Sequence, residues 1–276
     1  AGRAGAQDYL VKGKVGSDVL ARTMRHAIER HRLLGREREL HQRESEFVAI
    51  ASHELRTPLH AIRGFTRLLL DESVEPPEQR EFLTTIDSEA SRLGDIVNDL
   101  LDVAKIETGR LELRYEEISL AELIAGACAA LETHASERRV ELRQDSAEGL
   151  PRIQADPGCL SRVLVNLIAN AIKFNNVGGT VTVRTWATSD EVVISIHDTG
   201  AGIPREARHR LFQRFSQVDA SSTREHGGAG LGLYITKQLV ESHEGRIWLE
   251  SEVGRGTIVH VALPLRASRA GEARAA

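Results

Sequence analysis

The sequence predicts a multidomain protein in which an all-α helical hairpin is followed by an α+β sandwich. Three patterns carry this prediction. A seven-residue apolar repeat runs through residues 20–69, and a second stretch with helical periodicity follows a pair of prolines. From residue 114 onward, helical patterns alternate with short strands and glycine-bearing turns. The order of the patterns places the helices first and the mixed layer second.

Length, composition and charge limit the classes of protein to consider. A chain of 276 residues with 41% hydrophobic content suffices for about two domains. Basic and acidic residues are interleaved and the net charge is −4, so no nucleic-acid partner is expected. No apolar run approaches the roughly 20 residues of a membrane span, so no membrane contact is expected from this segment. Without a signal-peptide pattern, Cys128 and Cys159 fit buried thiols of a cytoplasmic protein.

The apolar repeat predicts one long helix that packs along a partner helix. Its register consists of Leu20, Ala27, Leu34, His41, Val48, Leu55, Ile62 and Leu69, with His41 as its polar member. Gly35 is a possible break in this helix. Residues 36–46 are so polar that their helical structure depends on a second chain or on weak pairs along the helix.

A second helix is predicted to begin near Pro76 and Pro77 and to end at Gly109. Its apolar residues recur at helical spacing from Phe82 to Ala104. Residues 44–107 then form an antiparallel hairpin. Because one hairpin buries too little by itself, two copies are expected to form a dimeric four-helix bundle.

The second half of the chain predicts an α+β sandwich of about 150 residues. A helix is expected at 119–135 and a strand at 140–143, and Asp156 is the expected N-cap of a helix that reaches Phe174. Two strands, a glycine turn, a helix closed by Gly245 and a final pair of strands follow.

The stretch SHELRTPLHAI offers a candidate nucleophile on the first helix. His53 lies five residues past Val48, on the outer face of the helix, and Glu54 can hold its tautomer and accept its proton. Thr57 shares the face of His53, and Pro58 is expected to bend the helix. The alternative is an ordinary solvated pair; a zinc-protease site is excluded because the second histidine of that motif is replaced by Thr57.

Two further clusters suggest a nucleotide site. Asn166, Asn170 and Lys173 share one helical face, where amide oxygens suit Mg²⁺ and an ammonium suits phosphate; the alternative is a solvated face of an amphipathic helix. Asp198 ends a strand before Gly200 and Gly202, so its carboxylate could accept the amine of adenine, or it could simply end the strand. The run GGAGLGL opens a helix and lacks both the Walker and the dinucleotide pattern.

The stretch FVAIASHELRTPLHAIRGF resembles the H-box of the sensor histidine kinases of two-component systems. The later motifs, with LFQRFSQVD between them, resemble the N-box, the F-box and the two glycine boxes of the same family. The resemblance covers residues 44–265. It implies the Bergerat (GHKL) ATP-binding fold, which DNA gyrase and the mismatch-repair ATPases share.

The resemblance also implies roles for individual residues. His53 would be the phosphoacceptor and Glu54 the base, and Glu54 and Thr57 would orient water during dephosphorylation of a partner. Asn170 would bind Mg²⁺, with Asn166 and Lys173 near the phosphates of ATP and Asp198 on adenine. The remaining nucleotide-binding residues would be Gly200, Gly202, Gly228, Gly230 and Gly232, with Phe212 and Phe215 anchoring a lid at 204–229. Gln217 departs from the family, which often has an arginine there; Arg214 or Arg224 could substitute.

The first residues, GAQDYLVKGKV, resemble the end of a receiver domain, with Lys12 at its conserved lysine, although an unstructured leader is the alternative. The expected domains are a receiver remnant with its helix at 1–34, a coiled-coil linker at 35–46, a dimerisation and phosphotransfer domain at 47–109, an ATP-binding domain at 114–266 and a disordered tail at 267–276.

The expected function is autophosphorylation of His53 by ATP and transfer to an aspartate of a response regulator, with a phosphatase activity toward that regulator. The alternatives are an ATP-binding scaffold or dominant phosphatase with weak kinase activity, and an ATPase that drives a conformational cycle.

Overall fold

A computed structural model describes residues 17–70, 74–147, 149–216 and 230–265. The first part of the predicted receiver remnant, the predicted tail, and Gln217, Arg224 and Gly228 of the predicted lid lie outside these residues. The chain forms two compact units, one up to Thr57 and the other from Pro58 onward.

The first unit contains most of helix α1, Ser17–Leu69. The prediction of a possible break at Gly35 is wrong, because the 53-residue helix is continuous through that position. The helix also continues through Pro58 into the second unit. In the first unit, Leu34 and Val48 of the apolar repeat are exposed, as expected for a stripe that awaits a partner helix.

The second unit begins with the end of α1 and helix α2, Pro76–Glu107. As predicted, α2 begins at a proline, whose missing N–H costs nothing in the first turn. It ends before Gly109, whose φ of +64° is the left-handed conformation typical of a glycine after a helix. The rings of Phe65 in α1 and Phe82 in α2 lie 5.3 Å apart. The predicted helical hairpin is therefore confirmed.

The rest of the second unit is the predicted α+β sandwich. Its elements are β1 Glu116–Ile118, α3 Leu120–Glu137, β2 Glu141–Ser146, β3 Ile153–Ala155, α4 Pro157–Lys173, β4 Thr180–Ala187, β5 Glu191–Asp198, α5 Arg205–Arg208, α6 Gly232–Ser242, β6 Arg246–Glu252 and β7 Gly256–Pro264. The sequence did not predict β1, β3 or α5. In the five-stranded sheet the order is β2-β4-β5-β7-β6, and β2 and β4 form its parallel pair. Strands β1 and β3 form a separate antiparallel pair.

The core lies between one face of the sheet and helices α3, α4 and α6, which pack on β2, on β4 and β5, and on β6 respectively. Its largest fully buried side chains are all leucine or isoleucine, for example Ile168 and Ile194. This aliphatic core agrees with an aromatic content of only 4%. The two cysteines, predicted to be buried, are partly exposed. Among the described helices none is long and apolar enough to cross a bilayer.

The N-cap of α4 fixes the start of the helix that carries the candidate nucleotide residues. As predicted, the carboxylate of Asp156 accepts a hydrogen bond from the N–H of Cys159 at 2.9 Å. Its other oxygen accepts the N–H of Arg114 at 2.8 Å. Burial acts to raise the pKa of Asp156, but the several hydrogen bonds to its ionised carboxylate together outweigh burial and lower the pKa.

Candidate functional site

The candidate nucleophile lies on the surface of α1. The side chain of His53 is 75% exposed, and its Nδ1 lies 3.6 Å from Oε1 of Glu54. This separation is longer than a hydrogen bond, but it places the carboxylate on the Nδ1 side of the ring. A carboxylate there favours the tautomer with the proton on Nδ1, so that Nε2 carries the lone pair. The geometry therefore suits Nε2 as the nucleophile and Glu54 as the proton acceptor.

Thr57 lies one helical turn after His53. Its hydroxyl donates to the carbonyl of His53 at 3.2 Å, and its side chain is exposed. A threonine that bonds back to its own helix keeps one rotamer, so the oxygen stays beside the backbone of His53.

The amides of Asn166 and Asn170 form a chain that extends from α4 to α6. Nδ2 of Asn166 donates to Oγ1 of Thr236 at 2.8 Å. Nδ2 of Asn170 lies 3.4 Å from Oδ1 of Asn166, which is a long hydrogen bond. At Gly232, a Cβ atom would lie only 2.6 Å from Oδ1 of Asn166. The absence of a side chain at Gly232 thus lets α6 approach the amide.

Lys173 ends α4 in a half-buried position. Its Nζ lies 5.0 Å from the centre of the Phe174 ring. Burial lowers the pKa of Lys173, and the nearby positive charges of Arg138 and Arg92 lower it further. An anion such as phosphate bound at this end of α4 would offset these effects, so the surroundings of Lys173 favour an anionic ligand.

Asp198 ends β5 with a buried carboxylate, 8% exposed. Its Oδ1 accepts the N–H groups of Gly200 at 2.9 Å and of Thr257 at 3.1 Å. Burial raises the pKa of Asp198, and the two backbone hydrogen bonds and His197 oppose the shift in part. Because both bonds use Oδ1, the geometry leaves Oδ2 as the acceptor for an amine such as that of adenine.

Glycine is required at two turns around this carboxylate. Gly202 has a φ of +70°, and a Cβ atom there would collide with the carbonyl of Glu252. Gly256 has a φ of +98°, and a Cβ atom there would collide with the carbonyl of Asp198. The two glycines therefore bring the turn after β5 against the β6–β7 turn and the start of β7, where Thr257 donates its N–H to Asp198.

The described start of the predicted lid packs beside the first turn of α6. A Cβ atom at Gly230 would lie 2.9 Å from the backbone of Phe215, so these two predicted residues are in contact. Phe212 is partly exposed. The guanidinium of Arg214 lies 4.9 Å from the ring centre of Tyr234 and forms an ion pair with Glu107 of α2.

Three residues of this region were not predicted from the sequence. Thr236 and Thr257 hydrogen-bond to Asn166 and Asp198, and Arg162 binds Asp99 at 2.6 Å and also Asp102. The spacing of four that linked Asn166 to Asn170 also extends back to Arg162, and could have identified it. No local pattern marks the two threonines, because their partners lie on other elements.

Both parts of the chain match known protein families. Residues 43–109 match the family described as His Kinase A (phospho-acceptor) domain. Residues 155–267 match the family described as histidine kinase-, DNA gyrase B- and HSP90-like ATPase. His53 falls within the first match, and the Asn166 and Asp198 clusters fall within the second.

Curated relatives agree with these matches. The chain is 39% identical over 225 residues to the circadian input-output histidine kinase CikA of Synechococcus elongatus, covering 80% of this chain and 30% of that protein. It is 37% identical over 233 residues to the cell-division control histidine kinase PdhS of Brucella anthropi, covering 80% of this chain and 22% of that protein. The chain thus spans less than a third of the length of either relative.

Solved structures share the fold. The histidine kinase ThkA in complex with the response regulator protein TrrA matches with a TM-score of 0.65 and 26% identity, covering 84% of this chain and 66% of that one. Full-length ShkA in complex with AMPPNP matches with a TM-score of 0.62 and 30% identity, covering 82% of this chain and 47% of that one.

Proposed function

We propose that this chain, which belongs to the histidine kinases through both of its domains, transfers the terminal phosphoryl group of ATP to His53 and then to an aspartate of a separate receiver domain. The observation that carries the proposal is the exposed imidazole of His53 with a carboxylate at Nδ1. The buried Asp198 carboxylate and the amide chain on α4 supply a matching nucleotide cradle in the same chain.

The reaction forms a bond between Nε2 of His53 and the terminal phosphorus of ATP and breaks the bond from that phosphorus to the bridging oxygen, so ADP leaves. The imidazole loses its Nδ1 proton, and Glu54 accepts it. The protein contributes mainly by position and charge: Asp198 holds adenine, and Lys173 stabilises the negative charge on the phosphates. Phe212 and Phe215 anchor the lid at 204–229 that excludes water, and the remaining nucleotide-binding residues are Gly200, Gly202, Gly228, Gly230 and Gly232.

The donor set on α4 fits Mg²⁺. This ion prefers hard oxygen ligands and usually retains several waters, so a single amide oxygen, that of Asn170, suffices beside the phosphate oxygens. When bound, Mg²⁺ would neutralise charge on the phosphates. Asn166 supports Asn170 through its own amide oxygen.

The test of the nucleophile is phosphorylation of the full chain with ATP labelled at its terminal phosphate. The label should be acid-labile and base-stable, as expected for phosphohistidine, and His53→Gln should abolish it. His60→Gln is the matched control, because His60 is an exposed histidine of the same helix and should keep its label. A labelled His53→Gln variant would overturn the assignment.

The second step requires a receiver domain, and the solved complex of ThkA with its response regulator supports a partner of this kind. Thr57, held beside His53, and Glu54 are the proposed positioning residues for water in the phosphatase reaction, in which water hydrolyses the aspartyl phosphate of the receiver. The proposal includes this phosphatase activity and a cytoplasmic location. It also includes the domain limits, 47–109 for dimerisation and phosphotransfer and 114–266 for ATP binding.

A second candidate is an ATP-binding scaffold or dominant phosphatase with weak kinase activity. Gln217 stands where many family members have an arginine, and Arg214 could substitute for that arginine. The observation that favours this candidate is that Arg214 instead forms an ion pair with Glu107. Binding of nucleotide without labelling of His53, combined with Thr57-dependent dephosphorylation of a receiver, would select this candidate.

A further inference from the structure

A carboxamide presents either its oxygen or its NH₂ group to a neighbour, and the two orientations have almost the same shape. For Asn170 the difference decides whether it can bind a metal, since Mg²⁺ takes oxygen ligands. The side chain of Asn170 cannot make this choice by itself. A neighbouring group that holds one end of the amide must set it.

We propose that Thr236 is a positioning residue for the magnesium–nucleotide site, because its hydroxyl sets the orientation of Asn166 and, through Asn166, that of Asn170. The inference rests on the proposed function, in which Asn170 is the metal ligand. Thr236 itself touches neither metal nor nucleotide in this scheme.

The hydrogen bonds are all donated in one direction, from α4 toward α6, with Thr236 as the last acceptor. The Thr236 hydroxyl accepts from Nδ2 of Asn166, which turns Oδ1 of Asn166 toward Asn170. Oδ1 of Asn166 then accepts from Nδ2 of Asn170. With its NH₂ group engaged in this way, Asn170 has its Oδ1 left for a cation. We call these three residues the amide relay.

The first member of the relay is well placed to act as a fixed point. Thr236 is 2% exposed and lies in the middle of α6, where packing restricts a β-branched side chain to few rotamers. Gly232 lies one turn earlier on the same face of α6 and leaves the space that Oδ1 of Asn166 occupies. Helix α6 therefore supplies both the room for the Asn166 amide and its hydrogen-bonding partner.

The proposal predicts a specific defect in Thr236→Val. Valine fills a similar volume but accepts no hydrogen bond, so the Asn166 amide loses its fixed orientation and Asn170 no longer presents its oxygen alone. The apparent affinity for Mg²⁺ in the presence of ADP should fall about 10-fold or more, as for other groups that orient a metal ligand. The affinity for ADP in EDTA, which does not use this ligand, should remain that of the wild type.

The experiment measures ADP binding to the full chain by calorimetry in EDTA and across a series of Mg²⁺ concentrations, with thermal unfolding as a second readout. Thr236→Ser keeps the hydroxyl and should restore the Mg²⁺ dependence of the wild type. Thr185→Val is the matched control, since Thr185 is a buried threonine of β4 whose hydroxyl has no hydrogen-bond partner among the described residues. It should leave Mg²⁺ affinity unchanged.

The outcomes separate the relay from the proposed function. Equal Mg²⁺ affinity in Thr236→Val and the wild type would overturn the relay while leaving the nucleotide site in place. If Thr236→Val loses affinity for ADP equally in EDTA and in Mg²⁺, Thr236 acts through packing and the relay is overturned. The same holds if Thr236→Ser loses as much Mg²⁺ affinity as Thr236→Val. If the wild type binds no ADP, or binds it without any effect of Mg²⁺, the proposed metal–nucleotide site fails and the relay fails with it.

Discussion

At the residue scale, the buried ring of His243 hydrogen-bonds to two segments of the chain, and these bonds fix its tautomer. Its Nδ1 lies 2.7 Å from the carbonyl of Leu239, and its Nε2 accepts the N–H of Asp156 at 3.1 Å. The second bond requires a lone pair on Nε2, so the ring is neutral with its proton on Nδ1. His243 therefore ties the end of α6 to the N-cap residue of α4.

The sign of the resulting pH dependence follows from burial. Desolvation lowers the pKa of His243 below its ordinary value of 6.5, although the bond to Leu239 and the charge of Asp156 oppose the shift. As the pH falls, His243 is therefore protonated at a higher pH in the unfolded chain than in the folded chain. The contribution of His243 to stability is complete above that ordinary value and is lost as the pH falls below it.

We expect the free energy of unfolding to decrease when the pH is lowered from about 7.5 to about 5.5, and His243→Gln to reduce that decrease by about 1 kcal/mol. The reason is that a protonated Nε2 can no longer accept the N–H of Asp156. Urea unfolding at the two pH values measures the difference. His260 also has a pKa lowered by burial, so the variant retains the part of the decrease that His260 causes.

An unchanged decrease in His243→Gln would contradict this account. Loss of stability at both pH values by the same amount would likewise show that His243 acts through packing and not through its proton.

At the element scale, α2 is joined to the sandwich by an ion-pair network. Arg162 of α4 binds both Asp99 and Asp102, which are one turn apart on α2. Burial raises the pKa of Asp99 although Arg162 acts in the opposite direction, so desolvation is the larger effect at this carboxylate. The network therefore links α2 to α4 at the cost of desolvating Asp99.

A double-mutant cycle between Arg162→Ala and Asp102→Asn should give a coupling free energy of about 1 kcal/mol, measured by urea unfolding. Because the two side chains are partly buried and the guanidinium binds two carboxylates, the coupling free energy should lie at the upper end of the range for ion pairs near a surface. Arg184 and Asp145 form the matched control, because both side chains are more than half exposed and their coupling should be close to zero. Equal coupling in the two cycles would contradict the prediction.

The elements also show what the sequence alone could predict. The start of α2 and the N-cap of α4 carry local signals, a proline and an aspartate, and both predictions were confirmed. Strands β1 and β3 have three residues each, too few for an alternating pattern, and form because they pair with each other. Their existence depends on tertiary pairing that no local stretch reveals.

The same limit applies to the candidate site. The spacing of Asn166 and Asn170 on one helix placed both on the same face, and the structure joins their amides. The hydrogen bond from Asn166 to Thr236 could not be predicted, because it depends on how closely α4 and α6 approach. Sequence spacing fixes neighbours within an element, whereas contacts between elements follow from packing.

At the scale of the whole molecule, α2 exposes an apolar stripe that one chain leaves uncovered within the second unit. Leu83, Val97 and Leu101 are 57%, 42% and 54% exposed, and their spacing places them on one side of the helix. A second copy that covers this stripe would complete the four-helix bundle expected from the sequence. We therefore expect a homodimer through α2.

Val97→Asp should shift the chain toward monomer, because a carboxylate in an apolar interface is desolvated without a partner. A symmetric interface contains the substitution twice, so the dimer dissociation constant should rise roughly 100-fold or more. Light scattering coupled to size-exclusion chromatography over a series of protein concentrations measures this shift. Val253→Asp is the control, since Val253 is 63% exposed in the β6–β7 turn and should leave the dimer intact. A Val97→Asp chain that remains dimeric at the same concentrations as the control would place the interface elsewhere.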